Sequence, residues 1–336
     1  MHIWQILRTW TFEPMPALGT IVSAAAYLRG ATVVSRRNPQ RPWPLRRTAS
    51  FLGALLLTWV VLLGPIGAYG DVFFWAQMTQ HIALIMVIAP LLLLGCPVLL
   101  LLRAADPAAR RRWIVPVLRS RALRVLTDPV LTWLLFAGVL MGTHFSPFHD
   151  YALQHPAVQE FVEYPLYLGV ALLYYYPLLG ANACPRRAEP AIRVISLFLM
   201  MLPETMTGFF LYASNYDLYP FYAKVARPFG PGPIVDQQIG GALMWAGGMI
   251  IDAGWLALAT AAWFRSESVK ARRVDGEIAR QIAAAQGVTG QGVTAPLERA
   301  ARRSTTGAAR CSLSCCQRSL SPGAGDDIGG VRADNR

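Results

Sequence analysis

The chain has 336 residues, of which 54% are hydrophobic and only 15% are charged, with a mean hydropathy of +0.37 and a formal net charge of +12. A soluble domain carries about 25% charged residues, so the composition excludes an ordinary soluble protein and favours one embedded in the lipid bilayer. The basic residues cluster in short segments between apolar blocks, which is typical of membrane topology, and we expect no nucleic-acid partner.

Apolar blocks recur along most of the chain. A helix that crosses a bilayer needs about 20 predominantly apolar residues. Seven blocks approach or exceed this length, at residues 14–34, 48–68, 74–102, 125–145, 160–180, 193–213 and 238–264. The sequence therefore predicts an all-α fold, a polytopic bundle of seven transmembrane helices within residues 1–264.

Arginine-rich loops predict the orientation of the spans. The segment after the first span reads "RRNPQRPWPLRR", and the one after the third, "RAADPAARRRWIVPVLRSRALR", holds seven arginines. The loops on the opposite side hold little basic charge beyond Arg8, Lys224 and Arg227. Because Lys and Arg accumulate on the cytoplasmic side, we expect the N-terminus outside and the C-terminus in the cytoplasm. The membrane is expected to be a bacterial cell (inner) membrane.

The last 72 residues differ from the rest. Gly, Ser, Thr and Arg dominate residues 265–336, and large apolar residues are few. Such a composition cannot bury enough apolar surface to fold, so we expect a largely disordered cytoplasmic tail. Its three cysteines, Cys311, Cys315 and Cys316, form no CxxC pair and have no companion histidines.

His81 is the most informative polar residue of the predicted spans. At 1.5 Å per residue it lies about 10 Å inside the third span, with Met78 three residues and Gln77 four residues before it on the same helix face. The fourth span then ends in "MGTHFSPFHDYALQHP", the fifth begins at "VQEFVEYPLYL", and the sixth contains "FLMMLPETMTGFF". In the predicted orientation all of these segments fall in the outer half of the membrane.

Ionisable groups within spans are costly unless they are paired, hydrated or bound, so they mark functional sites. Histidine with methionine favours copper, especially Cu(I), and histidine with carboxylate favours a divalent ion. The candidate metal ligands are His81, His144, His149, Met78, Glu163, His155 and Glu204.

Structural roles are open for the same residues. The histidines could be hydrogen-bonded or solvated, the methionines could pack, and Glu163 could face a helix dipole. Asp236 to Gln238 could cap the last helix, and Asp252, deeper in the last span, could pair locally. No GxSxG, HExxH, P-loop or GxGxxG motif stands in a supporting context, so we expect no enzyme activity.

Four segments carry a family resemblance: "QMTQHIALIMVIAPLLLLGCPVLLLLR", "THFSPFHDYALQHP", "EYPLYLGVALLYYYPLLG" and "DQQIGGALMWAGG". In this order, and over residues 10–264, the chain resembles the CtaG family, the multi-span assembly factors of haem–copper cytochrome c oxidases of the caa type. The resemblance implies a role in the maturation of the oxidase, with oxidase subunits as partners.

By position, the family histidine of the third span falls on His81, and the outer motif falls on His144 and "FHDYAL". The signature of the last span falls on Asp236, Gln237 and Met244. One departure is that many members have histidines at the start of the fifth span, where this chain has "QEFVEY". Either carboxylate replaces imidazole here, or the chain binds metal weakly or not at all.

Three functions remain open from the sequence. The first is an assembly factor that binds copper on the outer side and passes it to a nascent oxidase subunit. The second is a copper transporter, for which the inner half offers only Asp252, Cys96 and Cys184. The third is a scaffold for oxidase subunits without a metal.

Overall fold

The computed structural model describes residues 10–179, 184, 187–227 and 229–304, and every regular element within them is a helix. The chain divides into two compact units, Met1–Ser268 and Val269–Arg336. The segment predicted to be a disordered tail begins inside the last helix, Gly248–Ser304, and from residue 305 it lies outside the described residues.

The helices are numbered in chain order. Those of the first half are α1 Pro14–Arg37, α2 Leu45–Thr58, π1 Trp59–Leu63, α3 Pro65–Ala68, α4 Phe74–Ile82, π2 Ala83–Ile88, α5 Ala89–Leu94, α6 Pro97–Ala104, α7 Pro107–Ala109, π3 Arg110–Ile114, α8 Val115–Leu118 and α9 Arg121–Leu126. Those of the second half are α10 Pro129–His144, α11 Phe148–Gln154, α12 Pro156–Val158, π4 Gln159–Glu163, α13 Tyr164–Leu179, α14 Pro190–Ala213, α15 Pro220–Lys224, α16 Pro233–Ala242, π5 Leu243–Gly247 and α17 Gly248–Ser304.

Several helical stretches are long and apolar enough to cross a membrane. Five meet both criteria on their own: Pro14–Arg37, Leu45–Ala68, Phe74–Ala104, Pro190–Ala213 and Pro233–Ala284. A sixth results if α10 and α11, which meet at a bend of 64°, are taken as one span. The chain is thus an all-α, multi-pass membrane protein.

The predicted fourth and fifth spans are not among the five. The fourth corresponds to α10, which has 16 residues, and the fifth to the continuous run of α12, π4 and α13 over residues 156–179. A helix of 16 residues is about 24 Å long at 1.5 Å per residue, which is less than the hydrocarbon thickness of a bilayer. The count of seven spans and the orientation of the termini therefore stay predictions.

One large apolar cluster holds the candidate site. Phe136 and Tyr174 pack with Met78, Met86 and other buried side chains from α4 to α17. A second cluster, built around Tyr27, Phe51 and Cys96, joins α1, α2 and α6.

Asp236 fixes the start of α4 to the start of α16. Its carboxylate accepts hydrogen bonds from the backbone N–H groups of Phe74 (2.8 Å) and Trp75 (3.2 Å), and from Arg227 Nη1 (2.9 Å). Asp236 is fully buried. It therefore caps the first turn of the helix that carries His81, whereas the N-cap position of its own helix is Gly232.

Glycines allow α14 and α16 to approach closely. A side chain at Gly208 would place its Cβ 2.6 Å from the backbone nitrogen of Trp245, and one at Gly241 would place it 2.5 Å from that of Tyr212. The two backbones are therefore in contact where helices α14 and α16 cross, which is a common use of glycine between membrane helices.

Candidate metal centre

His81 lies near the end of α4, one turn after Gln77. Its side chain is buried, and the ring stands 4.5 Å from the ring of Tyr167, measured between centroids. The side-chain nitrogen of Gln77 lies 3.3 Å from His81 Nε2. The other ring nitrogen, Nδ1, is buried and has no hydrogen-bond partner among the described residues.

His144 is the last residue of α10. Its Nδ1 lies 2.8 Å from the carbonyl oxygen of Leu140, one turn earlier, and the carbonyl of His144 itself accepts a hydrogen bond from the Tyr219 hydroxyl (3.2 Å). Because a carbonyl only accepts, the hydrogen bond to Leu140 requires the proton on Nδ1. In the neutral ring, Nε2 then carries a lone pair, and it is buried without a partner in the described part of the chain.

His149 lies on α11, beyond the 64° bend, and is fully buried. Its Nδ1 is 2.6 Å from Oε1 of Glu163, which ends the π-helical segment π4 and is also fully buried. A carboxylate that accepts a hydrogen bond from one imidazole N–H orients the other nitrogen toward a ligand, as in many metal sites. Over the described residues, that nitrogen, His149 Nε2, has no protein partner.

The three imidazoles form a compact triangle, called here the imidazole cluster. The ring centroids are 5.4 Å apart for His81 and His149, 5.8 Å for His144 and His149, and 6.1 Å for His81 and His144. With an ion–nitrogen distance of about 2.0 Å, three imidazoles around one ion place their centroids roughly 5 to 6 Å apart. The spacing of the His81–His149 and His144–His149 pairs falls in this range, and that of His81 and His144 is slightly wider.

Glu163 adds a carboxylate to this group. One ligand atom each of His81, His149 and Glu163 can be chosen so that all lie within 4.8 Å of one another. The Oε1 atom of Glu163 is 3.9 Å from His81 Nε2, and its Oε2 is buried and lacks a partner within the described ranges. The arrangement can bind a cation through nitrogen, carboxylate or both.

The other candidate residues occupy different places. Met78 and Glu204 are buried and line a narrow cavity beside His81 and His144. His155 is exposed, and its Nδ1 meets the carbonyl of Tyr151 at 2.9 Å, so the structure does not bring it into the cluster. Asp252 lies near the carboxyl group of Glu204 on another helix, so its neighbour is not purely local.

Two hydroxyl groups support the cluster and were not predicted as site residues. The Tyr167 hydroxyl donates to Thr143 Oγ1 at 2.8 Å, and Thr143 immediately precedes His144. Tyr167 follows Glu163 by four residues, and this spacing places both on one helix face. That spacing is the sequence signal that could have identified Tyr167.

Acidic side chains gather at the start of α1. Glu160 Oε1 accepts a hydrogen bond from the backbone N–H of Met15 at 2.7 Å. The pKa of Glu13 is raised from 4.5 to about 7, first because the carboxyl is largely buried and then because Glu160 and Asp71 are also negative.

Most of the chain is similar to known protein sequences. The sequence model described as cytochrome c oxidase caa3 assembly factor (Caa3_CtaG) matches residues 25–266. The chain is 29% identical over 252 residues to uncharacterized proteins of Mycobacterium bovis and Mycobacterium tuberculosis, covering 73% of this chain and 38% of each relative. It is 28% identical over 282 residues to one of Mycobacterium leprae, covering 82% of this chain and 42% of the relative.

The chain therefore spans about two fifths of the length of these curated relatives. No solved structure matches it.

Proposed function

The chain belongs to the family of cytochrome c oxidase caa3 assembly factors, and on this premise we propose that it binds copper at the imidazole cluster and delivers it to a nascent oxidase subunit. One observation carries the proposal. Three buried histidines each leave a ring nitrogen without a protein partner among the described residues, and their ring centroids lie 5.4 to 6.1 Å apart. Two of them, His81 and His149, form with Glu163 a group whose ligand atoms lie within 4.8 Å of one another.

The residues around the imidazoles have distinct roles in this proposal. Glu163 holds the proton of His149 on Nδ1, and the carbonyl of Leu140 does the same for His144, so both rings offer Nε2 to the ion. The Tyr167 ring packs against His81 in a tilted arrangement, and this contact together with the burial of all three rings excludes bulk water. Copper is the cargo, so a site with few ligands favours its release.

The predicted topology supports delivery from the outer side of the membrane. The cluster is built in the first third of the span Phe74–Ala104, where α10 ends and where α11 follows. The arginine-rich segments lie at the other ends of the span and of α10. Because Lys and Arg mark the cytoplasmic side, we place the cluster in the outer half.

A copper transporter is supported less well. It requires ligands that continue from the cluster toward the cytoplasmic face. Cys96, one of the few candidates in that half, packs with Tyr27 and Phe51 in a separate apolar cluster rather than with the imidazoles. A scaffold that binds no metal leaves the three buried ring nitrogens unexplained.

Copper binding to the purified full-length protein tests the proposal. We expect one copper ion per chain, and we expect His81→Gln or His149→Gln to lower the affinity at least 100-fold because each removes a ligand. Glu163→Gln keeps the shape of the side chain but loses its charge, and we expect Cu(II) to bind about 10–100-fold more weakly. Affinities are measured by competition with a chelator of known strength.

Two matched controls are available. His155→Gln changes an exposed histidine outside the cluster, and Glu160→Gln changes a carboxylate of the same π-helical segment that contacts Met15 instead of a histidine. Both are expected to bind copper as the unchanged protein does. Stoichiometric copper binding that survives His81→Gln, or an oxidase that receives its full copper content in cells carrying this variant, contradicts the proposal.

A further inference from the structure

A narrow cavity of about 20 Å³ adjoins the imidazole cluster and shares two of its histidines as part of its wall. The polar and sulfur-bearing side chains that line it are Met78, Met86, Met244, His81, His144 and Glu204. A volume of about 10–15 Å³ holds one water-sized particle. The cavity therefore has room for a single ion.

The three methionines are an unusual lining for so small a space. Met78, Met86 and Met244 are 1%, 3% and 6% exposed, and they come from two separate spans. Thioether sulfur is a soft ligand that selects Cu(I) over harder divalent ions. Glu204 Oε2, which is buried and has no hydrogen-bond partner in the part of the chain that the structure describes, adds one oxygen to the wall.

Widened helical turns bring these methionines together. Met86 lies in π2 and Met244 lies in π5. In a regular α-helix, eight residues exceed two turns of 3.6, so Met78 and Met86 would diverge. A π-helical turn takes in more residues, and this returns Met86 toward the face of Met78. Such turns are frequent at functional sites.

Gly248 leaves a gap beside the same groups. A methyl group at this position would lie 3.8 Å from Glu204 Oε2 and 3.8 Å from Met86 Sδ. The carboxylate and the sulfur therefore approach the same point from two different helices.

We propose that this cavity is a second copper site, which is selective for Cu(I) and receives the ion from the imidazole cluster. The inference rests on the proposed function, because the two copper sites share His81 and His144 and a single ion occupies one or the other. An ion that arrives as Cu(I) exchanges nitrogen and carboxylate ligands for sulfur as it moves, with no change of oxidation state.

Met86→Leu is the decisive variant, because leucine replaces methionine at similar volume and removes only the thioether. The matched control is Met200→Leu, since Met200 is 2% exposed in the same apolar cluster but does not line the cavity. The purified full-length protein is titrated with Cu(I) under excess reductant without oxygen, with Ag(I) and with Zn(II), and the Cu(I) form is studied by X-ray absorption.

We expect Met86→Leu to weaken binding of Cu(I) and Ag(I) at least tenfold, to reduce the sulfur signal around copper, and to leave Zn(II) affinity within twofold. Glu163→Gln should do the reverse, weakening Zn(II) while sulfur remains around Cu(I). Met200→Leu should match the unchanged protein in every measurement, and elution as a single symmetric species confirms that each variant is folded.

The outcomes separate the two proposals. Copper bound by nitrogen and oxygen ligands alone overturns the proposal of a second copper site and leaves the imidazole cluster as the copper site. Equal loss of Cu(I) affinity in Met86→Leu and Met200→Leu also overturns the proposal of a second copper site. A protein that binds no copper in any form overturns both.

Discussion

Three imidazole nitrogens in this protein are buried in a membrane domain and receive no hydrogen bond from the described residues. Leaving a buried polar group unsatisfied costs about 1–3 kcal/mol. Three such groups within one triangle, His81, His144 and His149, add up to a substantial fraction of the stability of a folded domain. A cation bound between them would offset this cost, which is the physical reason to regard the triangle as a binding site.

Glu13 gives a pH dependence at the residue scale. Its pKa in the folded protein is raised from 4.5 to about 7 because the carboxyl is buried near Glu160 and Asp71. Between these two values the unfolded chain has already lost the proton that the folded protein keeps, so stability falls as the pH rises from about 4.5 to about 7. We expect the thermal midpoint to be roughly 2–4 °C lower at pH 8 than at pH 5.

Glu13→Gln should remove this part of the pH dependence and raise the midpoint at pH 8. The measurement is thermal unfolding of the purified protein followed by intrinsic fluorescence. Asp217→Asn, which changes an exposed carboxylate, serves as the control and should leave the slope unchanged. A Glu13→Gln variant that loses stability between pH 5 and pH 8 as steeply as the unchanged protein would show that the burial of Glu13 has no such effect.

Single residues were predictable where the helical repeat constrained them. The depth of His81 and its shared face with Gln77 follow from the spacing, and the structure places their side chains in contact. His149 and His155 fall in one short polar segment, and both are candidate ligands by sequence, with His149 favoured. The bend between α10 and α11 buries the first and leaves the second exposed. The cap that Asp236 provides to α4 depends on tertiary contact and was likewise out of reach.

At the scale of helices, the crossing of α14 and α16 depends on having no side chain at Gly208. An added Cβ would meet the backbone nitrogen of Trp245 at 2.6 Å and the carbonyl of Gly241 at 3.0 Å. Because backbone atoms cannot move aside as a side chain does, we expect Gly208→Ala to destabilise the protein by about 1–3 kcal/mol. A lower thermal midpoint of the purified protein is the readout.

Gly142→Ala is the matched control in α10. A Cβ at Gly142 has no atom within 4 Å, and alanine favours the helix over glycine by about 0.5–1 kcal/mol. The midpoint of this variant should stay unchanged or rise. If Gly208→Ala also leaves the midpoint unchanged, the close approach of the two helices is not as the structure has it.

The positions of the helices could be predicted from hydropathy, but the π-helical segments within them could not. The apolar blocks coincide with helices, and the predicted all-α class is confirmed. The π-helical segments that carry Met86, Glu163 and Met244 leave no mark on the hydrophobic pattern, since one added residue per turn shifts it by less than the pattern's own irregularity. The cavity beside the imidazole cluster depends on these segments and was therefore not foreseen.

At the scale of the whole molecule, the orientation is open to direct test. We expect Tyr151→Cys, at an exposed position of α11, to react with a membrane-impermeant maleimide on intact cells from which the outer membrane has been removed. Trp113→Cys, exposed in the arginine-rich π3 segment, should react only after lysis. The reason is the asymmetry of Lys and Arg between the two sides.

The native cysteines provide an internal control, because the three of the tail are predicted to share the cytoplasmic side with residue 113 and should react only after lysis. Labelling of Trp113→Cys on intact cells, with protection of Tyr151→Cys, would reverse the orientation. The proposed delivery of copper from outside would then have to be abandoned.

Among the properties of the whole molecule, membership of the family was predicted best from the sequence. Four segments in a fixed order led to the CtaG resemblance, and the family match over residues 25–266 confirms it. Composition could not reveal that curated relatives are about twice as long.

The cap formed by Asp236 has a consequence for biosynthesis. The carboxylate that completes the first turn of α4 is synthesised 162 residues after Phe74. A ribosome that has made the span Phe74–Ala104 must therefore continue to the first turn of the span that begins at Pro233 before the helix bearing His81 acquires its final start. A polypeptide that ends before Asp236 lacks this carboxylate, so the first turn of α4 stays uncapped by it until synthesis has passed residue 236.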